Sequence, residues 1–497
     1  MKRIIAILVA VLLLPLSALA QDSKFDALRS KNDKKFKQQT ERVEKTFRAQ
    51  REAVNKRFEE SMRLPWEKKS VKKATPVPKN KDKNIPPVVI KEEEKNVTPK
   101  DKPIVIDEMP VAPAPVPEPT PVYPIEELVV PEQEVSSFTI YGTPFSVRHP
   151  APARLSGVEE NQVADFWNTL SGPDYDNMLV DLLAQKQKRS LCDWAYLKVV
   201  DKFTETLYGS AAAPEAVVLQ TYILTQSGFR LYLARDSKNS LHKLVPADQD
   251  IYKYPFVNIE DRRCYLFDGS DDRSYHVMGK GLEGTVPMSV VMMKENAFEA
   301  NLSEPRALKS RDYPAASVSV CTNRNLIDFY NGYPESFANN NGITRWRFYA
   351  NTPMSAVARE SIYPKLREAI AGMNDFQAIS VLLNFVQTAF VYEYDNTVWG
   401  CDRAFFADET LFYPYSDCED RSILFSRLVR DLVGRPVVLI YYPGHLATAV
   451  NFSGEVSGDY LLIEGKKYVV CDPTYVGAPV GLTMPGMDNS GAKAITL

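Results

Sequence analysis

Prolines are concentrated in one stretch of this 497-residue chain, where fifteen of the 35 lie between Pro65 and Pro131. Proline fixes φ and has no backbone N–H, so this stretch cannot form a continuous helix or the interior strand of a sheet. It favours extended polyproline geometry, in which about 70 residues reach at most about 200 Å. The sequence therefore predicts a Pro-rich linker over residues 65–135 and a globular fold outside it.

The overall composition argues against two broad classes of protein. The 60 Lys and Arg residues nearly balance the 63 Asp and Glu residues, and the formal net charge is −3. A nucleic-acid-binding protein usually has a clear basic excess, so we predict no nucleic-acid partner. Six cysteines in 497 residues are too few for a fold built on disulfides.

The first twenty residues have the pattern of a secretory signal peptide. Lys2 and Arg3 precede an apolar run over residues 4–16, and residues 18–20 form a small-x-small cleavage site. The run is short for a membrane span of roughly 20 residues, so a signal peptide over residues 1–20 is favoured over an anchor. The mature protein is then exported, to the periplasm or the extracellular side of the cell envelope. That compartment allows disulfides, without the sequence indicating a pairing, among Cys192, Cys264, Cys321, Cys401 and Cys471.

Residues 21–64 are highly charged and contain a regular aromatic repeat. Phenylalanine recurs every 11 residues, at Phe25, Phe36, Phe47 and Phe58. Eleven residues make three helical turns plus about 20°, so these side chains form one slowly drifting stripe on an amphipathic helix. Residues 22–60 carry 12 Lys and Arg against 8 Asp and Glu, a net charge of +4. Three interpretations stay open: self-association in the manner of a coiled coil, contact with an anionic membrane surface, or a solvated helix.

Three chemically distinct residues occur at equal spacing in the last 140 residues. Cys418 lies at the start of a predicted helix, whose capping-box pattern makes Ser416 the N-cap and Glu419 its partner. His445 opens a predicted strand 27 residues later, and Asp472 follows a predicted pair of strands after another 27. Antiparallel pairing of these strands brings His445 and Asp472 to neighbouring positions at one sheet edge, facing the helix start.

These residue types suit nucleophilic catalysis by a thiol. A helix N-terminus supplies partial positive charge that favours a thiolate, and a histidine accepts the thiol proton. A carboxylate on the other imidazole nitrogen fixes the tautomer, and the backbone N–H of Cys418 is a candidate oxyanion donor. The neighbouring Asp417, Glu419 and Asp420 act the other way, because negative charge disfavours the thiolate.

Residues 360–480 resemble the transglutaminase-like superfamily of papain-like thiol enzymes, and in particular its exported bacterial members. The resemblance is carried by the C-E-D motif at 418–420, the histidine at a strand start and the D-P-T-Y string at 472–475. It implies an α+β fold with a transglutaminase-like core, in which a Cys-bearing helix packs on an antiparallel sheet. We expect this domain to cover residues 356–497.

The resemblance also implies a role for each residue. Cys418 would be the nucleophile, His445 the base and Asp472 the residue that orients the base, with no metal and no cofactor. The family's second oxyanion donor is an aromatic or amide side chain upstream of the cysteine. Tyr415 and Trp399 are the candidates for it in this chain.

Residues 136–279 contain a weaker version of the same pattern. The string FVNIEDRRCYLFDGS aligns with YLLIEGKKYVVCDPT and matches Asp268 with Asp472. Upstream, Cys192 lies at a predicted helix start, and Phe229 would match His445. One hypothesis is a degenerate transglutaminase-like domain whose base is replaced by Phe229, and the alternative is chance similarity between two hairpins.

Residues 280–355, between these two regions, are predicted to be a β-rich connection. Runs of β-branched and aromatic residues favour strands at 285–294, 316–323 and 343–351. The pattern there matches neither a metal site nor a phosphate site.

Two functions from different classes fit this sequence. The first is an exported thiol enzyme that acts on amide bonds of proteins or peptides through Cys418. Hydrolysis is favoured over acyl transfer, because water is abundant and no residue pattern marks an acceptor-amine site. The second is a non-catalytic module of the cell envelope that binds a peptide or protein and is held on the N-terminal helix and spacer.

Overall fold

The computed structural model describes residues 49, 51–77, 87–92, 98–106, 118–121, 133–269 and 272–497. The predicted signal peptide lies outside these residues, as do most of the repeat helix predicted at 21–64 and much of the predicted linker. The chain divides into two compact units, residues 1–55 and residues 56–497. In the first unit, residues 49 and 51–55 are helical, and the contacts described below belong to the second unit.

Helices and mostly antiparallel strands occur in blocks along the described chain, which confirms the predicted α+β class. The helices are α1 (51–62), α2 (Glu160–Leu170), α3 (Asp176–Lys188), α4 (Asp193–Tyr208), α5 (Pro214–Gln226), α6 (Arg324–Asn331), α7 (Arg345–Asn351), α8 (Ala356–Ala369), α9 (Asp375–Ala389), α10 (Asp395–Val398), α11 (Ala407–Phe412) and α12 (Cys418–Leu432). The strands are β1 (Glu67–Ser70), β2 (Lys102–Pro103), β3 (Glu134–Ile140), β4 (Thr143–His149), β5 (Tyr232–Arg235), β6 (Leu241–Pro246), β7 (Asp250–Ile251), β8 (Phe256–Ile259), β9 (Arg262–Tyr265), β10 (Ser274–Val277), β11 (Arg306–Lys309), β12 (Ser317–Val320), β13 (Ser336–Phe337), β14 (Val391–Tyr392), β15 (Tyr415–Ser416), β16 (Val437–Tyr442), β17 (His445–Val450), β18 (Asp459–Ile463), β19 (Lys466–Cys471) and β20 (Lys493–Thr496). None of the helices in the described part of the chain has the length and apolar character that crossing a membrane requires.

Five strands of each six-stranded sheet have the same order, read in opposite directions along the two sheets. The middle sheet runs β1-β10-β5-β6-β9-β8, and the C-terminal sheet runs β2-β18-β19-β17-β16-β20. If β1 and β2 are set aside, each sheet consists of two hairpins joined through their second strands, with a later fifth strand beside the first. All of these pairs are antiparallel. One helix directly precedes each set, α5 before β5 and α12 before β16.

The two hairpins that the sequences align also share their register. Ile259 pairs with Arg262 across β8 and β9, and Ile463 pairs with Lys466 across β18 and β19. Both turns contain two residues with positive φ, 48° and 61° at residues 260–261 and 48° and 74° at residues 464–465. Positive φ at both central residues gives the turn whose twist matches a two-stranded antiparallel ribbon. The hairpin part of the predicted alignment therefore agrees with the structure.

The upstream part of that alignment is wrong. Cys192 is the N-cap of α4, whereas the helix next to β5 is α5, which follows the cysteine-free run SAAA at 210–213. Phe229 lies between α5 and β5 and not in a hairpin turn. Cys192 precedes α4 and not the helix that leads into the sheet. Two consecutive helices, α4 and α5, precede the strands, whereas the sequence suggested one.

The middle sheet has a histidine–carboxylate pair of its own. Nδ1 of His242, on β6, lies 2.6 Å from Oδ2 of Asp268, the residue that aligns with Asp472. Nε2 of the same ring lies 3.2 Å from Oδ2 of Asp236, which follows β5. The position of Phe229 between α5 and β5 does not support the prediction that it replaces a strand-start histidine. The middle sheet differs from the C-terminal sheet because the segment before α5 has no cysteine and both ring nitrogens of His242 face carboxylates.

This pair predicts a pH-dependent contribution to stability. Burial lowers the pKa of His242, but the hydrogen bonds and charges of Asp268 and Asp236 outweigh it and raise the pKa above its ordinary value. Because the pKa is raised in the folded state, the histidine contributes its full stabilisation of the fold at pH values below its unfolded pKa of about 6.5. This contribution is lost as the pH rises through the folded pKa. We expect His242→Gln to cost about 1–3 kcal/mol at pH 6 and clearly less at pH 8.5.

Urea unfolding of the full chain at both pH values measures the effect. His276→Gln is the matched control, because that side chain is exposed on β10 of the same sheet. An equal cost of His242→Gln at the two pH values would contradict the prediction.

Described stretches of the predicted linker are built into both sheets. β1 pairs antiparallel with β10, and Lys72 pairs with Phe256 of β8, so residues 67–72 join the two edges of the middle sheet. β2 pairs with β18 in parallel. The spacer prediction does not hold for these stretches. Residues 66–72 contain no proline, and Pro103 lies on an edge strand, where a missing N–H is tolerated.

One phenylalanine of the 11-residue repeat lies among the described residues. Phe58 is 4% exposed, and its ring centroid lies 5.0 Å from that of Trp167 on α2 in an edge-on arrangement. This phenylalanine packs in the core of its own chain, so it is not part of a self-association or membrane-contact face. Phe25, Phe36 and Phe47 lie outside the described residues.

Residues 280–355 are less strand-rich than predicted. The strand predicted at 316–323 is present as β12, whereas residues 285–294 make only isolated bridges. Residues 343–351 were expected to be a strand, but most of them form α7. Trp346, Tyr349 and Ala350 have helical spacing and are all buried, and Arg430 of α12 donates to the carbonyl of Ala350. Packing against α12 thus decides the conformation.

The C-terminal sheet separates two hydrophobic cores. Helices α8, α9 and α12 cover one face, where Leu382 and Leu424 share a core with Val437 of β16. Val438 faces the other way, into a second core with Ala449, because successive side chains of a strand point to opposite faces. Burial on both faces explains why these strands are continuous apolar runs.

Candidate active site

Cys418 is the first residue of α12 and is 2% exposed. The predicted N-cap is wrong by one residue, since Asp417 and not Ser416 takes that position. The backbone N–H of Asp417 donates to the carboxylate of Asp420 at 3.1 Å, which shifts the expected capping box along the chain. The cysteine remains in the first helical turn, where backbone N–H groups lack helical partners and favour negative charge.

His445 and Asp472 form the hydrogen bond that their spacing predicts. His445 is the first residue of β17 and is 4% exposed, and Asp472 follows the end of β19 and is 3% exposed. Nε2 of His445 lies 2.9 Å from Oδ2 of Asp472. If Nε2 carries the proton in this bond, Nδ1 is left free to accept one.

The other oxygen of Asp472 is held by the chain that follows it. Oδ1 accepts from the backbone N–H groups of Thr474 at 2.8 Å and of Tyr475 at 3.3 Å. Nε2 of Gln387, on α9, donates to the Asp472 carbonyl at 3.0 Å, and Oε1 of Gln387 accepts from the N–H of Gly477 at 3.1 Å. The Asp472 carboxylate is therefore fixed in orientation by both its own loop and a neighbouring helix.

α12 and β17 are joined directly beside these residues. Oγ of Ser422, one helical turn after Cys418, donates to the carbonyl of Leu446 at 2.8 Å. Leu446 immediately follows His445. Because residues four apart lie on the same face of a helix, this bond brings the face of α12 that carries Cys418 against the start of β17.

Negative charge surrounds the thiol. Sγ of Cys418 donates to Oε2 of Glu419 at 3.2 Å. Ligand atoms of Asp417, Cys418 and Glu419 all lie within 4.8 Å of one another, as do those of Asp395, Asp402 and Glu419. Within the described chain, these buried sets and the set Asp395, Asp417 and Asp420 are the ones close enough to hold a metal ion.

Two buried arginines supply the balancing positive charge. Arg345 bonds to Asp402 and lies in the field of Glu419; burial lowers the pKa of Arg345, but these carboxylates outweigh it and raise the pKa. Burial lowers the pKa of Arg421 to about 10, opposed by Tyr392 and the nearby acidic groups. Arg345 and Arg421 therefore offset part of the negative charge of these carboxylates.

The two predicted oxyanion side chains differ in their surroundings. Tyr415, on β15, is 41% exposed. Trp399 packs edge-on against Tyr413, with ring centroids 4.9 Å apart, and the guanidinium of Arg403 lies 4.5 Å from its ring.

Tyr392 is the aromatic residue that sequence reasoning missed. It pairs with Ser416 across the parallel strands β14 and β15, two residues before Cys418. Burial raises the pKa of Tyr392, and the charges of the Cys418 thiol and the Asp417 carboxylate raise it further, so its hydroxyl stays protonated. The apolar and aromatic run at residues 390–392, directly after α9, was the sequence signal that could have predicted a strand containing Tyr392.

All six cysteines lie among the described residues, and all are free thiols. The disulfides that the sequence allowed are therefore not formed. Cys401 is exposed, whereas Cys418 and Cys471 are buried. Burial and the adjacent Asp472 charge raise the pKa of Cys471 well above that of an ordinary thiol. The exposed Cys401 and the inert Cys471 thus provide internal references for the reactivity of Cys418.

Comparison with known proteins leaves the chain without an identified relative. No family model matches the sequence, and neither a curated protein nor a solved structure is similar to it. A functional interpretation therefore depends on the residues and the geometry described above.

Proposed function

We propose that residues 356–497 form a transglutaminase-like thiol enzyme, exported from the cell, that acts on amide bonds of proteins or peptides. The observation that carries the proposal is the buried hydrogen bond between His445 and Asp472 beside the helix that begins at Cys418. This combination of a helix-start thiol, an imidazole with one free nitrogen and a fixed carboxylate is the one that nucleophilic thiol catalysis requires. The N-terminal signal pattern supports export to the periplasm or cell surface.

The chemistry follows from the orientation of the imidazole. Nδ1 of His445 takes the proton of the Cys418 thiol, and the thiolate attacks the carbonyl carbon of the amide. The C–N bond breaks, the leaving amine receives the proton from Nδ1, and a thioester remains on Cys418. Water, deprotonated by the same nitrogen, cleaves the thioester and restores the thiol, so the net reaction is amide hydrolysis.

Stabilisation of the oxyanion is assigned to two donors. The backbone N–H of Cys418 is one, because it lies at the N-terminus of α12. The hydroxyl of Tyr392 is the second candidate, in place of Tyr415 and Trp399. We expect Tyr392→Phe to lower the turnover number by 10-fold to 1,000-fold with little change in thiol alkylation, since alkylation forms no oxyanion.

A second candidate function is the non-catalytic binding module of the cell envelope. Burial of both Cys418 and His445 favours it, because a substrate amide or a labelling reagent reaches the thiol only when the surrounding chain opens. The middle sheet favours it as well, since a histidine–carboxylate pair persists there with no cysteine before α5. In this alternative the residues around Cys418 are structural.

Alkylation of the full chain by iodoacetamide at pH 7 separates the two functions. In the enzyme, Cys418 reacts faster than the exposed Cys401, and His445→Ala slows the reaction of Cys418 roughly tenfold or more. Cys401 serves as the matched reference, because its rate stays the same in wild type, Cys418→Ala and His445→Ala. Slow labelling of Cys418 that is indifferent to His445 would favour the binding module.

A further inference from the structure

A short stretch of the Pro-rich segment lies along the loop that follows Asp472. The backbone N–H of Ile90 donates to the carbonyl of Val476 at 3.0 Å, and the N–H of Val476 donates to the carbonyl of Val88 at 2.8 Å. Val89 and Val476 thereby form a parallel bridge. Residues 87–92 are thus hydrogen-bonded to a loop that begins at a proposed catalytic residue.

The Ile90 side chain anchors this contact. It is 3% exposed and packs in a small core with Tyr475, Ala478 and Met484. Gly477 has φ +80°, and a Cβ on it would lie 3.2 Å from Cγ2 of Ile90. Glycine therefore allows the loop and residues 87–92 to pack closely at this point.

The same loop fixes the Asp472 carboxylate. Tyr475 packs on Ile90 through its side chain and donates its backbone N–H to Oδ1 of Asp472. Gln387 holds the loop from the other side through Gly477. Residues 87–92 and α9 therefore hold the loop between them, and loss of either contact frees the amide groups that orient Asp472.

We propose that residues 87–92 are a positioning strand for Asp472, so that part of the Pro-rich segment belongs to the active site of the C-terminal domain. The inference rests on the proposed thiol chemistry and extends it to a segment more than 300 residues away in sequence. Ile90 touches no reacting atom; it acts through Tyr475 and the Asp472 loop. Cleavage of the Pro-rich segment would therefore weaken the thiol chemistry without touching the C-terminal domain.

Substitutions at two adjacent residues test the role of this strand in the full chain. Ile90→Asp places a charge in the small core, whereas Val89→Asp places the same charge on a side chain that is 61% exposed. Ile90→Val is the conservative variant, and Ile90→Ala repeats the test should the aspartate prevent folding. Cys471, fully buried, reports folding because it stays unlabelled in a folded chain.

Two readouts follow the loop and the site separately. Hydrogen exchange at residues 474–476 should become at least tenfold faster in Ile90→Asp or Ile90→Ala and stay unchanged in Val89→Asp and Ile90→Val. In Ile90→Asp or Ile90→Ala, the rate of Cys418 alkylation should fall at least fivefold at pH 7. The plot of that rate against pH should take the shape found for Asp472→Asn. Agreement of the Ile90 variants with Asp472→Asn supports positioning.

The inference is overturned if exchange at residues 474–476 is the same in Ile90→Asp and Val89→Asp. It is equally overturned if exchange accelerates but the pH profile keeps its wild-type shape, because the strand then only stabilises the loop. Failure of the proposed function looks different: wild-type alkylation of Cys418 ignores His445. The exchange comparison alone then decides whether residues 87–92 order the loop.

Discussion

Replacing Arg421 with Ala is expected to lower the free energy of unfolding by about 3–5 kcal/mol. The side chain is 1% exposed, and its guanidinium donates to Oγ of Ser416 and to the carbonyls of Gln387 and Phe390 at 3.3, 3.2 and 2.9 Å. It also lies 5.2 Å from the ring of Tyr392. Truncation leaves three buried acceptors without this donor and removes a balancing charge from the acidic groups beside Cys418.

Urea unfolding of the full chain measures this loss. Arg367→Ala is the control, because that arginine is exposed on α8 and its contact with Tyr363 is a single cation–π pair, 5.4 Å from the ring, worth about 1 kcal/mol or less. Arg421→Lys should recover only part of the loss, since an ammonium group cannot reach three acceptors in the planar geometry of a guanidinium. A cost of Arg421→Ala no larger than that of Arg367→Ala would contradict the assignment.

The parts of the C-terminal region that could be predicted depend on local signals. Asn374 and Gln377 form the capping box of α9, with their side chains accepting from each other's backbone N–H groups at 2.9 and 3.2 Å. The contact between His445 and Asp472 follows from two hairpins, whose short turns fix the strand register. The first prediction needs only residues that are close in sequence, and the second needs only consecutive antiparallel strands.

The parts that could not be predicted depend on distant pairing. The backbone of Tyr392 lies beside Ser416, two residues before Cys418, because β14 pairs with β15, a parallel contact that no local pattern marks. β1 and β2 lie in a segment whose average composition indicates a spacer, yet β1, which contains no proline, and β2, which contains Pro103, both pair with strands of the two sheets. The histidine of the middle sheet was overlooked because the turn before it is longer than the two-residue turn before His445.

Substitution of Glu419 by Gln is expected to make Cys418 react faster, not slower. Oε2 of Glu419 lies 3.2 Å from Sγ, so a thiolate on Cys418 would face a carboxylate at contact distance. Two like charges about 4 Å apart repel by roughly 4 kcal/mol at an effective dielectric of about 20, so the neutral amide should favour the thiolate tenfold or more. Arg345 keeps its bond to Asp402, and the fold should tolerate the change.

Iodoacetamide labelling of Cys418 at pH 7, with Cys401 as reference, measures the change in rate. Asp431→Asn is the matched control, because it removes one negative charge from the same helix. Asp431 lies thirteen residues after Cys418, about 20 Å away by the helical rise. Slower labelling of Glu419→Gln would mean that Glu419 and not His445 accepts the thiol proton. In the proposed mechanism Glu419 disfavours the thiolate of Cys418 and His445 accepts the thiol proton, so faster labelling of Glu419→Gln would support both assignments.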